Sequence, residues 1–314
     1  MTRSIVPALV SGALLVLPFS VAQAQRPAED AAAFAAYLAT GNQVTPNITY
    51  LTASGVELKL DFHRPRGASG PLPTALLFHG GGYRIESNKE GFALNVVPWL
   101  QMGWNAVNVE YRSSGVALAP GAIEDVRCAL RWVVQNAKEY NVDPDRIVLT
   151  GQSAGGHLAT VAGMLPESAG LDRRCPGPQP LKVAAIISWY GIFDFTTLVD
   201  DPARAYAVTW IGPQPNRMDV AKLVSPMTYV RKGVPPTIHI HGDADPTVPY
   251  EQAVREIEAL KKVGVPAELV TVPGGRHGNF PREHVLRAWK SIEAFLAANV
   301  LTKNAAPQTA SAQP

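Results

Sequence analysis

The chain has 314 residues, 46% hydrophobic and 17% charged, which is enough apolar material for one large core and too much for a disordered chain. Its formal net charge of +2 offers no cationic surplus of the kind that nucleic acid or an anionic membrane surface attracts. Composition therefore points to a globular protein and away from both of those partners.

Residues 1–24 read as a secretory leader. Arg3 supplies the positive start, Ile5 to Val21 is apolar apart from Ser11, Ser20 and short breaks at Pro7, Gly12 and Pro18, and Ala22-Gln23-Ala24 fits the small-x-small rule for cleavage after Ala24. The run is short for a bilayer span, so the expected mature protein has no stable membrane insertion and is secreted or periplasmic. Export permits a disulfide between the two cysteines, Cys128 and Cys175.

The body of the chain is expected to occupy residues 25–300. Ile48–Thr52 and Glu57–His63 flank Ala53-Ser54-Gly55 and predict a hairpin, with Leu58, Leu60 and Phe62 alternating against polar neighbours. From Pro73 the pattern changes. Short apolar runs at Thr74–Phe78, Asn105–Val109, Ile147–Thr150, Val183–Trp189, Thr237–His241 and Glu268–Val272 predict strands. Between them, Asn95–Met102, Ile123–Glu139, Ala154–Met164, Gln252–Val263 and His284–Ala298 predict helices. Such alternation implies an α/β fold, a mostly parallel central sheet with helices on both faces. Pro166–Leu181 and Phe193–Lys232 break the pattern and are expected as insertions over the carboxyl edge of the sheet. Residues 301–314, rich in Ala, Gln, Ser and Thr, read as a loose tail.

The chemistry begins at Gly151-Gln152-Ser153-Ala154-Gly155, a G-x-S-x-G set between a predicted strand and a predicted helix. A sharp turn there strains Ser153 and exposes its hydroxyl, and the flanking glycines remove Cβ atoms that would clash. A serine nucleophile needs a base and an acid that orients the base. Of seven histidines, His277 lies in the glycine-flanked loop Gly274-Gly275-Arg276-His277-Gly278-Asn279 beyond a strand; His284 is the rival. His63, His157, His239 and His241 fall within the hairpin, the nucleophile helix or a strand, and His79 reads as a loop brace. For the acid, Asp245 begins the Asp-Pro turn after Thr237–His241, whereas Asp243 suits a turn-capping role and Asp194 is an outside candidate. Donors to a developing oxyanion are expected from the backbone of Gly81 and Gly82, in His79-Gly80-Gly81-Gly82-Tyr83, and from Ala154. No cofactor is called for. His239-x-His241 is explained by its strand end, so no metal is expected, and the Asn47-Ile48-Thr49 sequon is expected to be idle.

His79 to Gly82, Gly151 to His157 and His241-Gly242…Asp245…Val248-Pro249 together resemble the α/β-hydrolase superfamily. Within it, the chain is similar to bacterial feruloyl and acetyl-xylan esterases and to hormone-sensitive-lipase-like carboxylesterases. Tyr111-Arg112, Ser225-Pro226 and Pro235-Pro236 extend the likeness from about Ile48 to Val300. Gln152 stands where the lipase-like branch usually has Asp, and Tyr111-Arg112-Ser113-Ser114 lacks its Leu-Ala-Pro continuation. These departures tilt the resemblance toward the feruloyl-esterase-like branch. It implies a serine carboxylesterase acting on a small-molecule ester, with Ser153, His277 and Asp245 as catalytic triad. A peptidase or arylformamidase of the same fold, and a non-catalytic hydrolase-like binding protein, are the alternatives. Cys128 and Cys175 are expected to be bridged and to shape the substrate pocket, the alternative being a buried small hydrophobe and a surface thiol.

Overall fold

The computed structural model describes residues 41–84 and 89–302. The expected leader (1–24), the opening of the expected domain (25–40) and the tail from residue 303 lie outside the described residues.

An eight-stranded sheet runs in the order β1-β2-β4-β3-β5-β6-β7-β8. β1 (Asn42–Ala53) and β2 (Val56–Pro65) form the hairpin, and β2 lies antiparallel to β4 (Asn105–Val109). Every other pairing is parallel, through β3 (Leu72–Phe78), β5 (Val142–Gln152), β6 (Ala185–Trp189), β7 (Thr237–Gly242) and β8 (Ala267–Val272). The hairpin turns on Ser54 and Gly55, both at positive φ (52° and 75°), the twist that suits two-residue β-hairpins. β1 starts six residues before the expected Ile48, because its register shifts between Thr45 and Ile48. Pro46 cannot donate a ladder bond and Asn47 turns left-handed (φ 55°), which breaks the alternation that marks a strand in sequence.

β4, β6 and β7 are short and buried along their whole length, which is why they lack a clean alternation in sequence, whereas the edge strand β8 is only partly buried. The carboxyl ends of the parallel strands are level: Phe78 pairs Gly151, Gln152 pairs Trp189, Trp189 pairs Ile240 and Gly242 pairs Val272. Alternate residues of β3 face opposite layers. Leu76 and Phe78 pack with Ile123, Val126 and Leu158, whereas Ala75 and Leu77 pack with Trp99, Ile292 and Phe295.

Six of the helices that cover the sheet bear on the site, beside the short α1 (Val97–Gln101). They are α2 (Gly121–Gln135), α3 (Ala154–Met164), α4 (Ala205–Ile211), α5 (Arg217–Val224), α6 (Tyr250–Lys262) and α7 (Arg282–Leu296). α2 stops four residues short of the expected Glu139, with Asn136 Nδ2 donating to Trp132 O at 2.7 Å to close its last turn. The expected helix Asn95–Met102 splits into a 3₁₀ turn, Ala93–Val96, and α1, with Pro98 in the first turn of α1.

The two insertions part company. Phe193–Lys232 contains α4 and α5 and lies over the carboxyl edge of the sheet, as expected, with Tyr206 of α4 lining the same cavity as Ser153. Pro166–Leu181, contrary to expectation, does not line the cavity beside Ser153, the expected substrate pocket. α3 carries the chain from the carboxyl to the amino edge of the sheet, so the segment after Met164 is delivered to the far end. There Asp172 accepts from Arg127 and Arg131, Gln135 Nε2 donates to Pro176 O, and Cys175 is disulfide-bonded to Cys128 of α2.

Candidate active site

Ser153 joins β5 to α3 at φ 53° and ψ −117°, a conformation that costs a side-chain-bearing residue on the order of 1–3 kcal/mol. The surroundings enforce it. A Cβ on Gly155 would fall 1.9 Å from Phe78 O, and one on Gly151 would fall 2.4 Å from the Gly155 carbonyl. Trp189 O accepts the Ser153 N–H at 2.9 Å, and Ser153 O accepts from His157 N at 3.0 Å. The turn is thus clamped from β3, from β6 and from inside α3.

His277 comes from the loop after β8. Its Nε2 lies 2.8 Å from Ser153 Oγ and its Nδ1 lies 2.7 Å from Asp245 Oδ2. A carboxylate only accepts, so Nδ1 carries the hydrogen and Nε2 is free to accept the serine proton. The acid and histidine loops are locked together: Ala244 N donates to Gly275 O at 3.0 Å, and a Cβ on Gly242 would fall 2.1 Å from Gly275 O.

The side chain of Asp245 is fully buried. Burial pushes its carboxyl upward, but hydrogen bonds from His241 and His277, and the backbone N–H of Val248, outweigh this and hold it well below the usual carboxylate range. Its Oδ1 accepts from Thr247 N (2.8 Å) and Val248 N (3.0 Å). Asp243 instead accepts Gly274 N at 2.7 Å in an exposed turn. Asp194 caps the turn Phe195–Thr197 and pairs with Arg255 at 3.1 Å, and His284 lies beside Arg287 on the surface of α7. The structure brings Ser153, His277 and Asp245 together and leaves the three rivals elsewhere.

Gly81 and Gly82 line a cavity of about 630 Å³ with Ser153, His277, Gln152 and Tyr206. Both adopt positive φ (120° and 60°), and Ala154 opens α3, where N–H groups lack intrahelical partners. His79 is the brace it reads as. Its ring stacks on Tyr111 with centroids 4.2 Å apart, its Nδ1 lies 2.7 Å from Gly80 O, and burial pushes its imidazole down.

His241 was not legible as part of the site. It is buried at the end of β7, with Nε2 at 3.2 Å from both Asp245 Oδ2 and Val248 O. Its position four residues before Asp245 is the only sequence signal, and the turn that folds it back is needed to see the contact. Tyr190 (φ 41°) also escapes the sequence; its ring meets His277 edge-on at 4.9 Å. His239 pairs instead with buried Glu256, and among the described residues no group of His, Cys, Asp and Glu could hold a metal ion.

The sheet topology and the helices on both faces make this an α/β-hydrolase fold. A family model named BD-FAE matches residues 60–260, and the chain belongs to that family. Among curated relatives, it is 32% identical to the probable carboxylic ester hydrolase LipM of Mycobacterium tuberculosis, over 76% of this chain and 57% of that one. The chain spans about half the length of the curated relatives it matches. Among solved structures, it is 27% identical to a truncated carbohydrate esterase from gut microbiota, covering 82% of this chain and 98% of that one at a TM-score of 0.71. A propionate-bound esterase from Thermogutta terrifontis is 28% identical, covering 82% of this chain and 94% of that one at a TM-score of 0.67.

Proposed function

We propose that the protein is an exported serine carboxylesterase that works through an acyl-enzyme. One observation carries the esterase reading: the continuous contact from Ser153 Oγ to His277 Nε2 and from His277 Nδ1 to Asp245, while export rests on the leader-like residues 1–24. Ser153 Oγ attacks the ester carbonyl while His277 takes its proton. The proton then passes to the departing alcohol as the C–O bond breaks, leaving the acyl group on Ser153. Water attacks next by the same proton route, releasing the acid and restoring Ser153. Asp245 keeps the imidazole in its Nδ1–H form and offsets the charge it gains. Gly81, Gly82 and Ala154 N–H groups receive the carbonyl oxygen as it becomes negative.

The substrate class is argued from the site and the relatives together. The cavity beside Ser153 suits small or aromatic acyl groups and carbohydrate esters, in keeping with the carbohydrate esterase and propionate-bound esterase to which the chain is similar. Ser153→Ala should fold and lose nearly all turnover on p-nitrophenyl and feruloyl esters, along with covalent labelling by a fluorophosphonate. A variant retaining half the wild-type rate would remove Ser153 from this role.

A further inference from the structure

Tyr83 directly follows the glycines that line the site, in a left-handed conformation (φ 61°) with its ring buried. That ring stacks on Trp210 of α4 with centroids 4.0 Å apart. Its hydroxyl lies 2.8 Å from Nδ1 of His157, a residue one turn into α3 whose own N–H bonds the Ser153 carbonyl. The other ring nitrogen, Nε2, lies 2.7 Å from Val224 O at the end of α5. A carbonyl can only accept, so Nε2 carries the hydrogen, Nδ1 is bare, and the Tyr83 hydroxyl must donate to it. Burial pushes the His157 imidazole down to about 3, against the bond to Val224, so the ring stays neutral wherever the enzyme works. The chain of bonds therefore has one direction and no alternative tautomer.

Its three members belong to three separate pieces of the fold: the glycine loop after β3, the nucleophile helix, and the insertion over the site. The insertion also presses on the loop itself, since a Cβ on Gly82 would fall 3.2 Å from Tyr206 Cβ. The amides of Gly81 and Gly82 arise on the first piece and that of Ala154 on the second. Their separation is consequently fixed through His157, not through the sheet alone.

We propose that Tyr83 and His157 are positioning residues, whose hydrogen-bonded chain holds the two halves of the oxyanion pocket in register as charge develops on the substrate. This rests on the esterase reading above, with Ser153 as nucleophile. Donors aimed at a developing charge lose effect steeply when displaced, and a misplacement of about 1 Å elsewhere costs on the order of 10² in rate.

The test is Tyr83→Phe in the full mature chain, which keeps the ring and removes only the donor. Turnover of p-nitrophenyl acetate should fall about tenfold with KM within about twofold, the signature of an interaction made in the transition state. Affinity for a trifluoromethyl ketone, whose hemiketal oxygen occupies the same pocket, should fall by the same factor. Ile292→Val, in the opposite core layer, should lower stability comparably and leave both quantities unchanged. If Tyr83→Phe does not accumulate as folded protein, His157→Gln is read in the same way. Unchanged kcat in the variant, or lost kcat without lost ketone affinity, overturns the positioning role alone, because wild-type labelling at Ser153 still stands. A wild type that neither hydrolyses esters nor takes a fluorophosphonate overturns both readings.

Discussion

Two carboxylates two residues apart, Asp243 and Asp245, show how much local geometry decides. Both follow β7 and both accept backbone N–H groups, yet only Asp245 faces His277. Asp245→Asn should cut kcat by about 10⁴, because an amide in place of the carboxylate favours the wrong histidine tautomer. Asp243→Asn should stay within a few-fold of wild type, and equal, mild losses in both would show that Asp245 does not orient the base. The depressed Asp245 carboxyl adds a pH consequence. Held well below the usual carboxylate range, Asp245 takes up no proton near neutral pH, so loss of the base's accepting form alone should set the acid limb of kcat/KM, with the slope of a single proton. The proposed triad is legible in sequence because each member stands within two residues of glycine or proline, shortly past an apolar run. His241, Tyr83 and Tyr190 are not, since each acts through a contact that exists only once the loops have folded over one another.

Among the elements, the parallel strands and most helices can be read directly from the apolar pattern, and the ends of the elements cannot. β1 is hidden by the bulge at Pro46-Asn47, and the helix before β4 is divided near Pro98, in both cases because proline interrupts the pattern without ending the element. The insertion Pro166–Leu181 illustrates a different limit. Its composition marks it as irregular, but its side of the sheet depends on the direction of α3. Held to α2 by Cys128–Cys175 across a sequence separation of 47, it should stabilise the fold without touching catalysis. Replacing both cysteines by alanine should lower stability by roughly 3–4 kcal/mol in the chain-entropy account. The thermal midpoint should then drop by about 10 °C, with kcat and KM unchanged. A variant of wild-type stability, or one with an altered KM, would contradict that placement.

Across the whole molecule, folding commits several titratable groups to one protonation state. His157 is the clearest, because its imidazole is held at about 3 when folded and would titrate near 6.5 in an open chain. Its folded value is depressed, so the neutral ring's contribution is complete above about pH 6.5 and is lost progressively as pH falls toward 3. Buried Asp125 and Glu256, whose carboxyls burial pushes upward, act in the opposite sense, so the wild-type curve alone does not isolate the effect. The comparison with His157→Gln does. The stability gap between wild type and this variant, from urea unfolding, should narrow by about 2 kcal/mol between pH 7 and pH 5. A constant gap over that window would mean that His157 is not held neutral.

The level carboxyl ends of the parallel strands have a practical consequence. Ser153, Asp245 and His277 leave from β5, β7 and β8, so the distances among them measure how those strands are aligned. A strand displaced by two residues keeps every side chain on its proper face and preserves the spectroscopic sheet content, yet carries its loop about 6–7 Å along the axis. That is more than twice the 2.7 and 2.8 Å contacts that link the three residues. Recovery of hydrolysis after refolding would therefore serve as a vernier on the sheet, counting only molecules whose strands have found their native alignment.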